Sequence, residues 1–375
     1  KRQINFHVWM QWLLDEQLEA AQRAAHRAGM DIGVVHDLAV GVHKHGADAW
    51  ALQDAMAPGV SVGAPADMYN QLGQDWSQPP WDPEKLAELG YRPWRQMMRT
   101  IFRHAGGVRI DHVAGLFRLW WIPEGNNASD GTYVYYDHEA MVGVLALEAE
   151  LAGVVVVGED LGTVEDSVRE YLGSKGVLGT SILWFEMDGD VPLDPSRYRE
   201  LCMASVNTHD LPPTPGYLEG VQLQLREDLG LLARSPEEER EEARKQLDTF
   251  FAAVADAGYL PEGKEAEDRR RIEALYRYLC DAPSLLLNVS LVDAVGEKRI
   301  QNQPGTSDEY PNWRVPLADA EGRPVMLGSL PQLDRVNSLV DVVNAALGTH
   351  RRTADVKAPV QPERRDQADP FRGAS

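Results

Sequence analysis

Cysteine is scarce: Cys202 and Cys280 are the only two in 375 residues. Neither sits in a Cys-x-x-Cys pair, which excludes a disulfide framework and a four-thiolate zinc site and points to a reducing, cytoplasmic setting. Long apolar runs are also lacking. The longest apolar region, Val142 to Val157, is broken by Glu148 and Glu150, whose charges would be costly in a bilayer. Lys1 to Trp12 read as mature protein, with no basic n-region leading into an apolar stretch. Positive charge is in deficit, 37 Lys and Arg against 58 Asp and Glu, for a net charge of −21. Polyanions are held by clustered Lys and Arg, so neither nucleic acid nor a membrane is the expected partner. No Gly-x-Gly-x-x-Gly follows a strand-like run and no Gly-x-x-x-x-Gly-Lys occurs, so no nucleotide cofactor is expected. His36, His43 and His45 have no Cys or carboxylate at a set spacing, so no metal is expected either.

Aromatic residues, by contrast, are plentiful: 10 Trp, 12 Tyr and 7 Phe. Such rings fill large cores or stack on the apolar faces of sugars, and composition alone favours the core.

Six short runs rich in Val, Ile or Leu end in polar or charged residues. They are 31–37, 107–112, 154–160, 180–186, 204–210 and 285–293. Helix-like stretches such as Leu13 to Ala28 and Glu139 to Leu151 lie between them. Such alternation predicts a parallel sheet with helical crossovers. The expected fold class is α/β, a TIM-type (β/α) barrel with two insertions. Residues 1–40 and 94–216 are expected to form barrel parts, the second bearing the carboxylates at the ends of three runs, Asp111, Glu159 and Asp210. Residues 41–93, rich in Gly, Pro, Asp, Gln and Trp, form a loop-rich insertion over the active site. Residues 217–281 form a helical subdomain, in which Ser235, Pro236 and Glu238 make a capping box ahead of a stripe of Ala243, Leu247, Phe250, Phe251 and Val254. Residues 282–351 hold the last strand and a closing segment, and 352–375 are expected to be a disordered tail. About two strands are wanting for a closed barrel of eight.

Three of the runs deliver carboxylates to one face: Asp111, Glu159 and Asp210. Breaking an acetal needs a proton for the leaving oxygen and an anion to trap the oxocarbenium-like centre, and two carboxylates do this with retention. Arg109 and His209, one or two residues from a carboxylate, could keep Asp111 ionised and hydrogen-bond sugar hydroxyls. A lone Asp at a strand end is more often a helix cap, but three on parallel strands raise the odds of a site.

The chain also resembles a known family. VRIDHVAGLFRLWWIP (Val108 to Pro123), GEDLGT (Gly158 to Thr163), THDLPPTPGY (Thr208 to Tyr217) and NQPGTSDEYPNWR (Asn302 to Arg314) are similar to motifs of the amylomaltases, the 4-α-glucanotransferases also called disproportionating enzymes. HDLAVGVHKHGADAW (His36 to Trp50) and GAPADMYNQLGQDWSQPPW (Gly63 to Trp81) support the resemblance. It implies that Asp111 is the nucleophile, Glu159 the general acid/base and Asp210 the transition-state stabiliser. Arg109 and His209 would contact sugar, and Asp37 would support the site. Tyr69 and Trp76 would stack on the acceptor from a mobile loop, with Trp120 lining the cleft. Where many members have Pro-Pro-Asp-Tyr, this chain has Pro65-Ala66-Asp67-Met68, and Ser77 stands where Gly is frequent. Members carry further residues before the position of Lys1, including two barrel strands, so a homo-oligomer or an N-terminal partner segment would complete the barrel. The expected substrates are maltooligosaccharides and α-1,4-glucans. An amylase-type hydrolase and a catalytically silent glucan-binding fragment are the alternatives.

Overall fold

In the computed structural model the described residues are 1–66, 73–232, 234–263, 266–306 and 308–351. Helix α1 (Arg2–Arg27) leads to strand β1 (Val35–Leu38). Helix α2 (Ala47–Ala51), strands β2 (Val60–Ala64) and β3 (Gln74–Gln78), and helices α3 (Pro83–Glu88) and α4 (Arg92–Phe102) precede β4 (Gly107–Ile110). A hairpin of β5 (Arg118–Pro123) and β6 (Thr132–Tyr135) follows; α5 (His138–Ala152) then leads to β7 (Val155–Gly158), and α6 (Asp166–Ser174) to β8 (Gly179–Ile182). The short pair β9 (Met187–Asp188) and β10 (Val191–Pro192) comes before β11 (Cys202–Ser205). Helices α7 (Thr214–Glu219), α8 (Val221–Asp228), α9 (Pro236–Asp256) and α10 (Asp268–Leu279) lead to β12 (Leu286–Asn288), then α11 (Leu291–Val295) and α12 (Asp334–Arg351).

The β1, β4 and β7 strands pair in parallel, as do β8, β11 and β12. The two triplets are joined where Gly158 N–H donates to Leu178 O at 2.7 Å and Leu178 N–H to Val156 O at 2.9 Å. The order is therefore β1-β4-β7-β8-β11-β12, with neighbours in chain order, an α/β arrangement of the TIM type. Each strand overlaps one of the six runs read from the sequence, although β1, β8 and β11 extend one or two residues beyond theirs. The strands that carry the three carboxylates stop short of them, however: Asp111 and Glu159 stand one residue beyond β4 and β7, and Asp210 lies in the segment after β11. Asp293, read as a strand end, belongs to helix α11.

The insertion is more regular than its composition suggests. Strands β2 and β3 join β5 and β6 in a four-stranded antiparallel sheet of order β3-β2-β5-β6, where the sequence suggested loops. Part of the cause is non-local: β2 pairs with nearby β3 on one side and on the other with β5, some 60 residues away, a partner that no local pattern encodes. Tyr69 and the 352–375 tail lie outside the described residues.

Two apolar clusters flank the sheet. One packs Trp94, Met98 and Phe102 of α4 against Met141, Val142 and Leu145 of α5, with Trp94 Nε1 donating to Met141 O at 3.0 Å. The other gathers Leu247, Phe250, Phe251 and Val254 of α9, Ile272, Leu275 and Tyr276 of α10, and Trp184. The α9 cap is as expected: Ser235 and Glu238 form the reciprocal box and Pro236 opens the helix.

Buried charge ties the strands together near the site. Asp160, 2 % exposed, accepts from Arg199 Nη1 at 2.5 Å and Thr180 N–H at 2.8 Å and forms an ion pair with Arg169, whose Nε lies 3.4 Å away. Breaking a buried pair costs about 3–5 kcal/mol because one charge is left without compensation. With Arg169 still present, Arg199→Ala is expected to lower unfolding free energy by about 2–3 kcal/mol in urea titration. A change below about 0.5 kcal/mol would mean that Arg169 alone satisfies Asp160.

Candidate active site

Adjacent strands deliver the first two carboxylates side by side, since Ile110 and Gly158 are register partners and Asp111 and Glu159 come next in each strand. Gly158 is required by close approach: a Cβ there would lie 2.8 Å from Val113 Cγ1. Beyond Asp111 the chain turns through His112, whose φ of 47° lies in the left-handed region that a non-glycine residue adopts only at a cost. That turn aims His112 N–H at Glu159 Oε2, 3.0 Å away, while Leu161 N–H donates to Oε1 at 2.7 Å.

Burial is the main influence on the Glu159 carboxyl and pushes its pKa up. The two backbone donors oppose this, the Asp111 charge reinforces it and Arg109 opposes it. A carboxyl that holds its proton to higher pH than an ordinary glutamate suits a general acid. Arg109 Nη1 is shared between Asp37 Oδ1 at 2.7 Å and Asp111 Oδ1 at 3.0 Å. Asp37 and Arg109 are themselves register partners on β1 and β4.

Asp210 reaches the same field from β11. Its Oδ1 accepts from Asn302 Nδ2 at 2.7 Å, and its Oδ2 pairs with His209 Nε2 at 3.1 Å. Burial would raise its pKa, but the bonds from His209 and Asn302, with the His209 and Arg109 charges, hold it below the usual carboxylate range. His209 is raised, first by its bond to Asp210 against the opposing effect of burial. Arg109 acts electrostatically on Glu159, His209 and Asp210, so one guanidinium serves the three-carboxylate site.

Among the residues expected to bind substrate, Asp37, Arg109 and His209 join the carboxylates. Trp76 arrives by another route: its ring stands edge-on to His112, with centroids 5.6 Å apart. Its neighbour Ser77 takes φ 56°, a conformation glycine adopts at no steric cost, and its N–H donates to Asp75 Oδ1 at 2.7 Å. Trp120 is held in the hairpin, Nε1 donating to Ala128 O at 2.8 Å and the ring edge-on to Tyr133. Sequence reading missed Asn302, His112 and Trp313, the last lying 5.0 Å from the His209 ring. Asn302 and Trp313 do fall in the quoted NQPGTSDEYPNWR motif, the one signal that could have found them. Among the described residues no group of three His, Cys, Asp or Glu is placed to hold a metal ion. His43 Nδ1 instead accepts from His45 N–H at 3.1 Å within its loop. No described helix is long and apolar enough to cross a membrane.

A family model described as 4-alpha-glucanotransferase matches residues 1–320. The chain is 58% identical over 348 residues to the 4-alpha-glucanotransferase of Mycobacterium bovis, covering 92% of this chain and 48% of that protein. It is 34% identical to that of Haemophilus influenzae, covering 84% of this chain and 46% of that one. The chain thus spans about half the length of the curated relatives it matches. Among solved structures, the amylomaltase from Corynebacterium glutamicum superposes with a TM-score of 0.87 at 51% identity, over 90% of this chain and 50% of that one. The amylomaltase from Streptococcus agalactiae, solved in complex with acarbose, shares the fold with a TM-score of 0.71 at 18% identity, over 92% of this chain and 63% of that one. The family model matches most of the chain and the fold agrees with that of the solved amylomaltases, so the chain belongs to the 4-alpha-glucanotransferase family.

Proposed function

We propose that this chain carries the catalytic machinery of a 4-α-glucanotransferase that moves α-1,4-glucan segments between maltooligosaccharides with retention. The observation that carries the reading is the register pairing that sets Asp111 beside Glu159, with Arg109 in an ion pair with the first and acting electrostatically on the second. An Asp111 carboxylate oxygen attacks C1 of the donor sugar while Glu159 gives its proton to the departing glycosidic oxygen. The C1–O4 bond breaks, a glycosyl ester forms on Asp111 and the reducing-end fragment leaves. Glu159, now a carboxylate, takes the proton from the 4-hydroxyl of a second glucan; that oxygen attacks C1 and the ester breaks. Asp210, oriented by His209 and Asn302, holds ring hydroxyls more strongly in the distorted transition state than in the ground state.

Asp37 serves by fixing Arg109. Trp76, Tyr69 and Trp120 supply aromatic faces for neighbouring sugars, and the 41–93 segment excludes water while an acceptor is bound. The six parallel strands are six of the eight of a TIM-type barrel, a reading supported by the half-length match to the Corynebacterium glutamicum amylomaltase. A cytoplasmic setting is part of the same reading, supported by two buried, unpaired cysteines.

Incubation with maltotriose tests the activity. Transfer yields glucose together with a ladder of longer oligomers. Glucose and maltose without chain extension would favour hydrolysis, and no product at all would favour a silent glucan-binding role.

A further inference from the structure

Beneath the Asp210 segment lies a carboxylate that the reaction does not use. Asp293 of α11 is 1 % exposed, and its hydrogen-bond partners are donors. Thr214 N–H reaches Oδ1 at 2.7 Å, Thr214 Oγ1 reaches Oδ2 at 2.7 Å, and Tyr276 OH reaches Oδ2 at 2.8 Å. Asn207 Nδ2 lies 3.0 Å from both oxygens. Tyr276, fully buried in α10, also accepts Ser290 N–H at 3.1 Å.

Asn207 and Thr214 bracket the segment that carries His209 and Asp210, and both are buried. One carboxylate therefore grips both ends of that segment and, through Tyr276, couples it to the helical region. A neutral side chain of the same shape would not serve as well, since an amide turns one acceptor into a donor facing donors. Displacement of a catalytic group by about 1 Å can cost on the order of 100-fold in rate.

We infer that Asp293 is a positioning residue for Asp210, acting by clamping Asn207 and Thr214 and anchored by Tyr276. The inference rests on the glucan-transfer reading for its kinetic consequence, but its structural content can be measured without turnover.

The test compares Asp293→Asn and Tyr276→Phe with the unmodified full chain. The readouts are kcat and KM for maltotriose disproportionation per folded molecule, and the His209 imidazole titration followed by NMR. Asp293→Asn is expected to lower kcat by about 30-fold with KM changed less than about threefold. Tyr276→Phe, which removes one donor, is expected to lower kcat by about threefold. In Asp293→Asn the His209 pKa should fall toward its ordinary value as the pairing with Asp210 loosens. A folded Asp293→Asn with unchanged kcat and unchanged His209 titration would overturn the inference. Should Asp293→Asn fail to fold, Tyr276→Phe decides: a lower kcat or a lower His209 pKa supports the clamp, and neither change overturns it. If the unmodified chain shows no transfer, the activity reading fails by itself, and the His209 titration alone judges the clamp.

Discussion

Replacing Asp111 by Asn is expected to lower the rate of maltotriose disproportionation by about 10⁴-fold, equivalent to about 5 kcal/mol of lost transition-state stabilisation. The amide keeps the shape of the carboxyl group but cannot supply the anionic oxygen that attacks C1. Asp111 is the carboxylate with a guanidinium 3.0 Å away and register adjacency to Glu159, so no other side chain is equally placed to take over. The substitution also leaves Arg109 with Asp37 as its partner, so the fold should survive. Melting temperature and product chromatography measured together check both points. A folded variant retaining more than about a tenth of the activity would remove Asp111 from the nucleophile's role.

Glu159→Gln should cost about 10²–10⁴-fold on maltotriose. The loss should be selective. A donor whose leaving group needs no proton, such as an α-maltosyl fluoride, should form the glycosyl-enzyme at a rate far closer to that of the unmodified chain. The pH profile supplies a second signature. Burial raises the Glu159 pKa, and the acid must be protonated for the first step, so glycosylation falls as pH rises through that pKa. In Glu159→Gln this alkaline limb should disappear. The acid limb belongs to carboxylates that must be ionised, and Asp210, held below the usual range, should stay ionised to lower pH than an ordinary aspartate. Equal losses on maltotriose and on the fluoride would assign the proton transfer elsewhere.

Much of the strand framework is legible in the sequence. Strands buried on both faces read as continuous runs of Val, Ile and Leu, and β7, with Val155, Val156 and Val157, is the clearest case. Their ends were not legible, because an apolar run does not record where ladder pairing stops. Val289 to Asp293 looked like a strand continuing from β12, yet Ser290, still extended, is the N-cap of α11, and that helix buries Asp293. The antiparallel sheet escaped because β2 has few residues with strong strand preference beyond its valines, β3 is mostly polar, and the pairing of β2 with β5 joins segments far apart in the chain. The three carboxylates stood out as charges at the ends of apolar runs. Asn302 carries no charge and lies 92 residues from Asp210, so only its motif could have marked it. The His112 turn was invisible for a different reason: its left-handed conformation is imposed by the site rather than favoured by the residue.

The central claim is a covalent intermediate on Asp111, and it can be observed directly. The Glu159→Gln variant, given an α-maltosyl fluoride and no acceptor, should accumulate a glycosyl-enzyme, because fluoride departs without a proton while the second step lacks its base. Peptide mass spectrometry of the trapped protein should then find the sugar mass on the peptide containing Asp111. A sugar ester on any other residue, or turnover that inverts the anomeric configuration with no adduct, would contradict the mechanism.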